Sequence, residues 1–197
     1  LLSGLIMLLI NPFVSAINTG LNNFLSSMSE VNKVILGAIL AGMMSVDLGG
    51  PVNKAAYTFG TGMLAEGHYE IMAAVMIGGM VAPLAIALLA TFFPKKLPKK
   101  ERQAGLLNYV MGLSFISEGA IPFASADPIR VLPACIVGSA VSGALSMAFN
   151  CTLMAPHGGI FVLPLIGNWF WYVVALAIGS VIAMGIMAAL KKNVWEK

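Results

Sequence analysis

The chain has 197 residues, of which 59% are hydrophobic and only 10% are charged, and its mean hydropathy is +0.91. About a quarter of the residues of a soluble domain are charged, because its surface faces water. The composition therefore excludes a water-soluble globular protein and predicts a membrane protein solvated by lipid. The net charge of +3 comes from two short basic clusters, at 95–102 and 191–197, rather than from a basic face. This distribution argues against nucleic acid as a partner.

The first 29 residues carry no charge and divide into two parts. An apolar start is followed by Asn11, Pro12 and further asparagines, which predicts the end of one membrane span and then a helix in the interface. The chain has no initiator methionine and no basic region typical of a signal peptide. We therefore interpret residues 1–197 as the C-terminal portion of a longer transporter. Residues 33–48 form a shorter apolar arm that ends at Asp47, as in a broken helix.

Three further stretches are long and apolar enough to cross a membrane, which takes about 20 residues of helix. They are 71–93, 131–156 and 169–190, and the third opens with Trp169, Trp171 and Tyr172, an aromatic group typical of the membrane interface. Small residues recur four apart in these stretches, as at Gly138 and Ser142. This spacing either lets helix backbones approach closely or reflects the abundance of small residues in membrane helices.

The basic clusters predict the topology. The loop at 94–102 and the tail at 191–197 should both be cytoplasmic, so an even number of crossings joins them. The spans 131–156 and 169–190 already supply that number, and residues 103–130 must then enter and leave on one side. We predict a re-entrant hairpin over 103–130, with its break near Glu118. Irregular backbone at that depth needs surrounding protein or a watery cavity.

Glu118 is the first candidate for ligand binding, because a carboxylate in a membrane needs a partner or a wet cavity. Gly119 and Pro122 break the helix beside it, which frees backbone groups for a ligand. Its two oxygens can accept neighbouring sugar hydroxyls, and Phe123 can offer an apolar face to a sugar ring. The alternative is a glutamate that only caps the return helix.

A second candidate segment is 47–54, where an apolar arm ends in a turn rich in polar groups. Asn53 has a donor and acceptors suited to hydroxyls, and Asp47 and Lys54 can neutralise each other across the turn. Breaks of this kind at membrane depth resemble the broken helices of transporters. The ion pair alone would also explain why Asp47 and Lys54 are there.

The third candidate is His157, which lies between two apolar spans and is followed by Gly158, where a glycine permits close ligand approach. The alternative is a plain extracellular turn with a structural histidine. No second histidine or cysteine falls at ligand spacing, so we predict no metal site.

Other polar and reactive residues have simpler explanations. Asp127 and Arg130 are expected to pair on one helical face, and Glu66, His68 and Glu70 to mark an extracellular loop. Cys135 and Cys151 are expected to pack in the core. No nucleotide-binding loop or activated nucleophile is present, so a phosphoryl donor would have to come from elsewhere.

Three motifs together, at 49–54 (GGPVNK), 118–123 (EGAIPF) and 155–159 (APHGG), resemble the fructose-type enzyme IIC family of the bacterial phosphoenolpyruvate-dependent phosphotransferase system. The resemblance covers nearly the whole chain, but only the C-terminal half to two-thirds of a family member's membrane domain. It implies an all-α polytopic protein of the bacterial inner membrane, with transmembrane helices, re-entrant hairpins and broken helices. This would be the transport domain of an elevator-like sugar permease.

The resemblance also implies a function. Enzyme IIC takes up fructose or a related hexose and presents it to a cytoplasmic enzyme IIB, whose phosphocysteine phosphorylates it. The chain would thus be the translocating subunit of a phosphohistidine-protein–fructose phosphotransferase, needing no cofactor and forming a homodimer at full length. The expected sugar-binding residues are Glu118, Asn53, His157, Asp47, Lys54, Gly119, Phe123 and Gly158, and Glu118 would orient the attacking hydroxyl.

An ion-coupled secondary transporter of a small polar solute is the alternative. In that protein Asp47, Glu118 and Asp127 would bind protons or sodium, and no phosphoryl partner would be needed. The two alternatives differ in the energy source of uptake, which is phosphoenolpyruvate for the phosphotransferase and an ion gradient for the secondary transporter.

Overall fold

Helices form nearly all the regular structure in the part of the chain described by a computed structural model, namely Asn23 and residues 30–193. The long helices are α1 (Glu30–Met43), α2 (Pro51–Ala65), α3 (Tyr69–Phe92), α4 (Lys99–Leu113), α6 (Pro128–Ala148) and α7 (Trp169–Leu190), and α5 (Ile121–Ala126) is short. Turns of 3₁₀ helix lie at Pro94–Lys96, Ser117–Ala120 and Gly159–Leu165. Strands β1 (Thr152–Leu153) and β2 (Ile166–Gly167) pair antiparallel, with Thr152 opposite Gly167.

Three of these helices, α3, α6 and α7, are long and apolar enough to cross a membrane. The chain is thus an all-α membrane protein, as its composition predicts. The span and interfacial helix predicted within 1–29 fall, apart from Asn23, outside the described residues. Contacts divide the chain into Leu1–Lys33 and Val34–Lys197, and the features below belong to the second unit.

The second predicted span, 131–156, is wrong at its C-terminal end. Helix α6 stops at Ala148, because Asn150 adopts a positive φ of 49° and turns the chain into β1. The segment after Phe149 remains apolar, so hydropathy alone could not place this end. The basic loop at 94–102 is also partly helical, since α4 begins at Lys99.

Helix α3 is the centre of the bundle. It packs against α2, α4, α6 and α7, and nearly all of its side chains are buried. Small residues make the close approaches possible: a Cβ atom on Gly78 would lie 2.5 Å from the Cα atom of Ala41, and one on Gly138 would lie 2.5 Å from the carbonyl oxygen of Gly179. Close helix approach is therefore the correct explanation of the small residues four apart. Cys135 is buried without a disulfide, as expected for a packing residue.

The segment predicted as a re-entrant hairpin folds back on α4. Gly119 lies against Asn108 and Met111, and further along the return arm the ring of Phe123 comes within 3.8 Å of the position of a Cβ atom on Gly105. The order of these contacts is antiparallel. The return arm ends at Asp127, beside the same basic cluster from which α4 starts. How this segment lies in a bilayer stays a prediction.

Candidate functional site

Three separate motifs of the sequence meet at one cavity of about 230 Å³. It is smaller than the roughly 300–1,000 Å³ typical of sites for drug-sized ligands, so it suits a small solute. The lining comes from the end of α1, the first turns of α2, the break after α4 and the loop before Gly159. The lining residues are Met44, Asn53, Lys54, Tyr57, Phe115, Ile116, Ser117, Glu118 and His157.

The turn before α2 is held by Asp47. Its carboxylate accepts the backbone N–H groups of Val52 at 2.7 Å and Asn53 at 2.9 Å, which satisfies donors that the first helical turn leaves unpaired. Lys54 Nζ donates to the carbonyl oxygen of Gly49. Asp47 and Lys54 thus each bond to the backbone of the turn instead of to each other, so the predicted ion pair is replaced by three hydrogen bonds to the backbone.

Asn53 is almost completely buried at the inner wall of the cavity. Its amide nitrogen donates to the carbonyl oxygen of Met44 at 2.7 Å and lies 3.5 Å from the hydroxyl of Ser117. These two contacts join the turn after α1, helix α2 and the hairpin break, and both use the amide nitrogen. Among the described residues Oδ1 accepts no hydrogen bond, so it remains an acceptor for a ligand.

Glu118 lies against Gly49, the residue whose carbonyl oxygen accepts from Lys54. Gly49 has a φ of +111°, and a Cβ atom there would lie 2.8 Å from Oε1 of Glu118. No described residue donates a hydrogen bond to this carboxylate, and the side chain is exposed to the cavity. Helix α5 begins without a hydrogen bond from a capping side chain. The contacts of this helix therefore do not support the alternative that Glu118 only caps it. Both carboxylate oxygens are available to a ligand.

His157 reaches the cavity because its loop packs tightly on the hairpin break. Gly159 has a φ of +58°, and a Cβ atom there would overlap the backbone of Leu113 and Phe115. The His157 ring lies 5.0 Å from the ring of Phe115, which in turn lies 6.2 Å from the ring of Tyr57. The three rings form an aromatic wall, and the imidazole supplies a donor and an acceptor beside it.

Four of the predicted site residues therefore come together: Glu118, Asn53, Lys54 and His157. The other four do not line this cavity. Asp47 holds the α2 turn, Gly119 is buried against α4, Phe123 is buried in the return arm near Gly105, and Gly158 forms the turn after His157 with a φ of +127°.

Tyr57, Phe115 and Ser117 were missed by the sequence analysis. Tyr57 follows Asn53 by four positions on α2, so helical spacing alone could have placed it on the same face. Ser117 and Phe115 are neighbours of Glu118 in the chain. Phe115 adopts a φ of +61°, which is unusual for a residue with a large side chain and marks the break.

A second polar cluster lies at the basic end of the bundle. Asp127 accepts from Arg130 at 3.2 Å and from Lys191 at 3.1 Å, which confirms the expected Asp127–Arg130 pair. Burial disfavours the charged form of Asp127, but these hydrogen bonds and charges outweigh burial and lower its pKa. At neutral pH the cluster is therefore an ionised network. Among the described residues no group of three or more potential ligands could hold a metal ion.

The cavity chemistry suits an uncharged molecule rich in hydroxyl groups. One cation and one carboxylate face the same turn, so their charges compensate within the site. A carboxylate accepts hydroxyl hydrogens, an amide oxygen and an imidazole extend that set, and aromatic rings pack on the apolar face of a sugar. Neither Cys135 nor Cys151 lines the cavity.

Comparison with known proteins gives a family match and several relatives. The family described as "Phosphotransferase system, EIIC" matches residues 1–138. The chain is 52% identical to the "PTS system fructose-specific EIIB'BC component" of Vibrio cholerae, over 100% of the chain and 35% of the relative. It is 48% identical to the "Fructose permease IIC component" of Bacillus amyloliquefaciens, over 98% of the chain and 63% of the relative.

A relative from Haloferax volcanii, the "PTS system fructose-specific EIIC component", is 45% identical over 91% of the chain and 48% of its own length. The chain thus spans between about a third and two-thirds of the length of these three relatives. No solved structure matches the chain.

Proposed function

This chain belongs to the phosphotransferase system EIIC family, and on that premise we propose that it is the sugar-translocating part of a fructose permease in the bacterial inner membrane. The permease takes up fructose, or a related hexose, and delivers it for phosphorylation. Two named relatives support fructose as the sugar, because their names specify it and they are 48% and 52% identical to this chain.

The single observation that carries the proposal is the convergence of Glu118, Asn53 and His157 on one small cavity. Neighbouring members of this set are 65 and 39 positions apart in the sequence. Their free carboxylate oxygens, amide oxygen and imidazole nitrogens would bind the hydroxyl groups of the sugar. Phe115 and Tyr57 would pack against its carbon-bound face. Glu118 would orient the hydroxyl that becomes phosphorylated, because both of its carboxylate oxygens are available as acceptors.

The phosphoryl group comes from a partner domain in this proposal. The two cysteines of the chain, Cys135 and Cys151, are both buried and neither lines the sugar cavity. The name of the Vibrio cholerae relative joins EIIB and EIIC in one protein, which supports a cytoplasmic EIIB domain as the partner. Its phosphocysteine would approach the cavity after the sugar has crossed the membrane.

Multi-pass insertion, the re-entrant hairpin at 103–130 and an elevator-like movement belong to the same proposal. The antiparallel packing of α4 on the return arm supports a hairpin, and both of its ends lie near the basic residues expected on the cytoplasmic side. Movement of the hairpin tip with the α2 turn would carry Glu118 and Asn53 together, because Gly49 and Ser117 link the two segments. We also propose that the full-length permease forms a homodimer.

Uptake in membrane vesicles tests this function against the ion-coupled alternative. In vesicles containing a full-length permease with this chain, fructose phosphate should accumulate only when phosphoenolpyruvate and the phosphocarrier proteins are supplied. Dissipating the proton and sodium gradients should leave that accumulation unchanged.

Accumulation of free fructose that needs an ion gradient and no phosphoryl donor would instead establish the alternative. The structure gives the alternative less support, because two of its three carboxylates are already engaged: Asp47 by backbone N–H groups and Asp127 by Lys191 and Arg130.

A further inference from the structure

A second cavity, of about 340 Å³, lies at the basic end of the bundle and has no part in the proposed sugar site. Three segments that are distant in the sequence form it: the turn before α4, the end of the hairpin return arm and the chain that follows α7. The lining residues are Lys96, Pro98, Glu101, Ala126, Asp127, Arg130, Lys191, Lys192 and Asn193.

The cavity is positively charged, and three of its four cationic side chains are held by hydrogen bonds. Four cationic side chains face two carboxylates, so the lining has an excess of two positive charges. Asp127 fixes Arg130 and Lys191, and Lys96 Nζ donates to the carbonyl oxygen of Lys191 at 2.6 Å. The Lys191 side chain is only 10% exposed. Cations arranged in advance around a cavity favour an anionic group with several acceptor oxygens, such as a phosphate.

Exposed apolar residues lie next to lining residues of the cavity in the sequence. Ile129, next to Arg130, is 84% exposed, and Leu190, next to Lys191, is 47% exposed. Phe93, near Lys96 in the sequence, is 40% exposed. A cationic cavity whose lining residues alternate in the sequence with exposed apolar residues suits the two parts of a phospholipid, a charged headgroup and its acyl chains. A soluble phosphate would make no use of the apolar part.

The position along the helices also indicates lipid. The cavity lies where α6 begins, at Pro128, and where α7 ends, at Leu190, and both helices are candidate membrane spans. The ends of spans lie at the level of the headgroups, where basic residues attract anionic lipids.

We propose that this cavity binds the headgroup of an anionic phospholipid, with the acyl chains along Ile129 and Leu190. The bound phosphate would bridge the turn before α4, the end of the return arm and the end of α7. It would therefore stabilise the base of the segment that carries Glu118. This inference requires that the chain lies in a membrane, and it does not depend on fructose as the substrate.

The test compares a full-length permease containing this chain in nanodiscs of phosphatidylcholine alone and of phosphatidylcholine with phosphatidylglycerol. The anionic lipid should raise the midpoint of thermal unfolding by about 4 °C or more. Lys96→Gln with Lys192→Gln should remove most of this rise, while leaving both partners of Asp127 in place. Native mass spectrometry should show one fewer retained phosphatidylglycerol on the double variant.

The matched control removes two charges from the same region without touching the lining: Lys95→Gln with Lys100→Gln should keep the rise. An equal loss in both double variants would mean general surface attraction and would overturn the proposal. Inorganic phosphate added to the phosphatidylcholine nanodiscs should have no effect, and stabilisation by phosphate alone would assign the cavity to a soluble anion instead. Fructose phosphorylation is not the readout, so these results stand apart from the proposed function.

Discussion

Replacing Glu118 by glutamine is expected to weaken fructose binding roughly 10- to 100-fold, the loss that follows when hydrogen bonds to a charged acceptor become bonds to a neutral one. Glutamine keeps the size and shape of the side chain, so the contact with Gly49 should persist. Phosphorylation should fall at least as much as binding, because the same carboxylate would orient the reacting hydroxyl.

The measurement is equilibrium binding of labelled fructose to a full-length permease, followed by phosphorylation from phosphorylated EIIB. Glu70→Gln is a suitable control, because Glu70 lies in the first turn of α3 and lines neither cavity. Unchanged fructose affinity in Glu118→Gln, with a protein that remains folded, would remove Glu118 from the site.

Gly49→Ala is expected to reduce fructose affinity by 10-fold or more through Glu118. The new Cβ atom would lie 2.8 Å from Oε1 and 3.1 Å from Cδ of that carboxylate, so the carboxylate must move. The backbone φ of +111° is also one that side-chain-bearing residues rarely adopt. Both effects act at the turn that carries Lys54 and Asn53.

Gly67→Ala separates these two effects. Gly67 also has a positive φ, +89°, but a Cβ atom there meets nothing within 4 Å. The Gly67→Ala variant should therefore be less stable because of backbone strain, but its fructose affinity should be unchanged. In a Glu118→Gln background, Gly49→Ala should cost less affinity than in the wild type, because the two changes act on one contact. Equal affinity losses for Gly49→Ala and Gly67→Ala would show that the Gly49 contact with Glu118 has no role in binding.

The fold was largely predictable because bilayer thickness sets the length of an apolar helix. Two of the predicted spans, 71–93 and 169–190, agree with α3 and α7 to within two residues at each end. The end of α6 was not predictable, because the turn at Asn150 depends on a backbone angle and on the pairing of β1 with β2. The helix breaks near Glu118 and Gly49 were predictable, because glycine and proline residues that interrupt helices lie beside them.

The site was predictable as motifs but not as a set of contacts. Glu118, Asn53 and His157 stood out because a polar side chain in an apolar stretch costs free energy unless it has a partner or a ligand. Which neighbours join them depends on tertiary packing: Phe123 turns towards α4, and Asp47 is occupied by the backbone of its own turn. Phe115 lines the cavity and adopts a positive φ, and no residue pattern signals that angle for a phenylalanine.

Protection of a cysteine in the cavity tests the position of the sugar site most directly. In a full-length permease containing this chain, Tyr57→Cys places a thiol in the lining, and Thr58→Cys places one on the adjacent, exposed position of α2 outside it. Fructose, without any phosphoryl donor, should slow the reaction of a thiol reagent at position 57 and leave position 58 unaffected. If fructose binds with wild-type affinity and protects neither position, the sugar binds elsewhere and the cavity formed by Glu118, Asn53 and His157 is not its site.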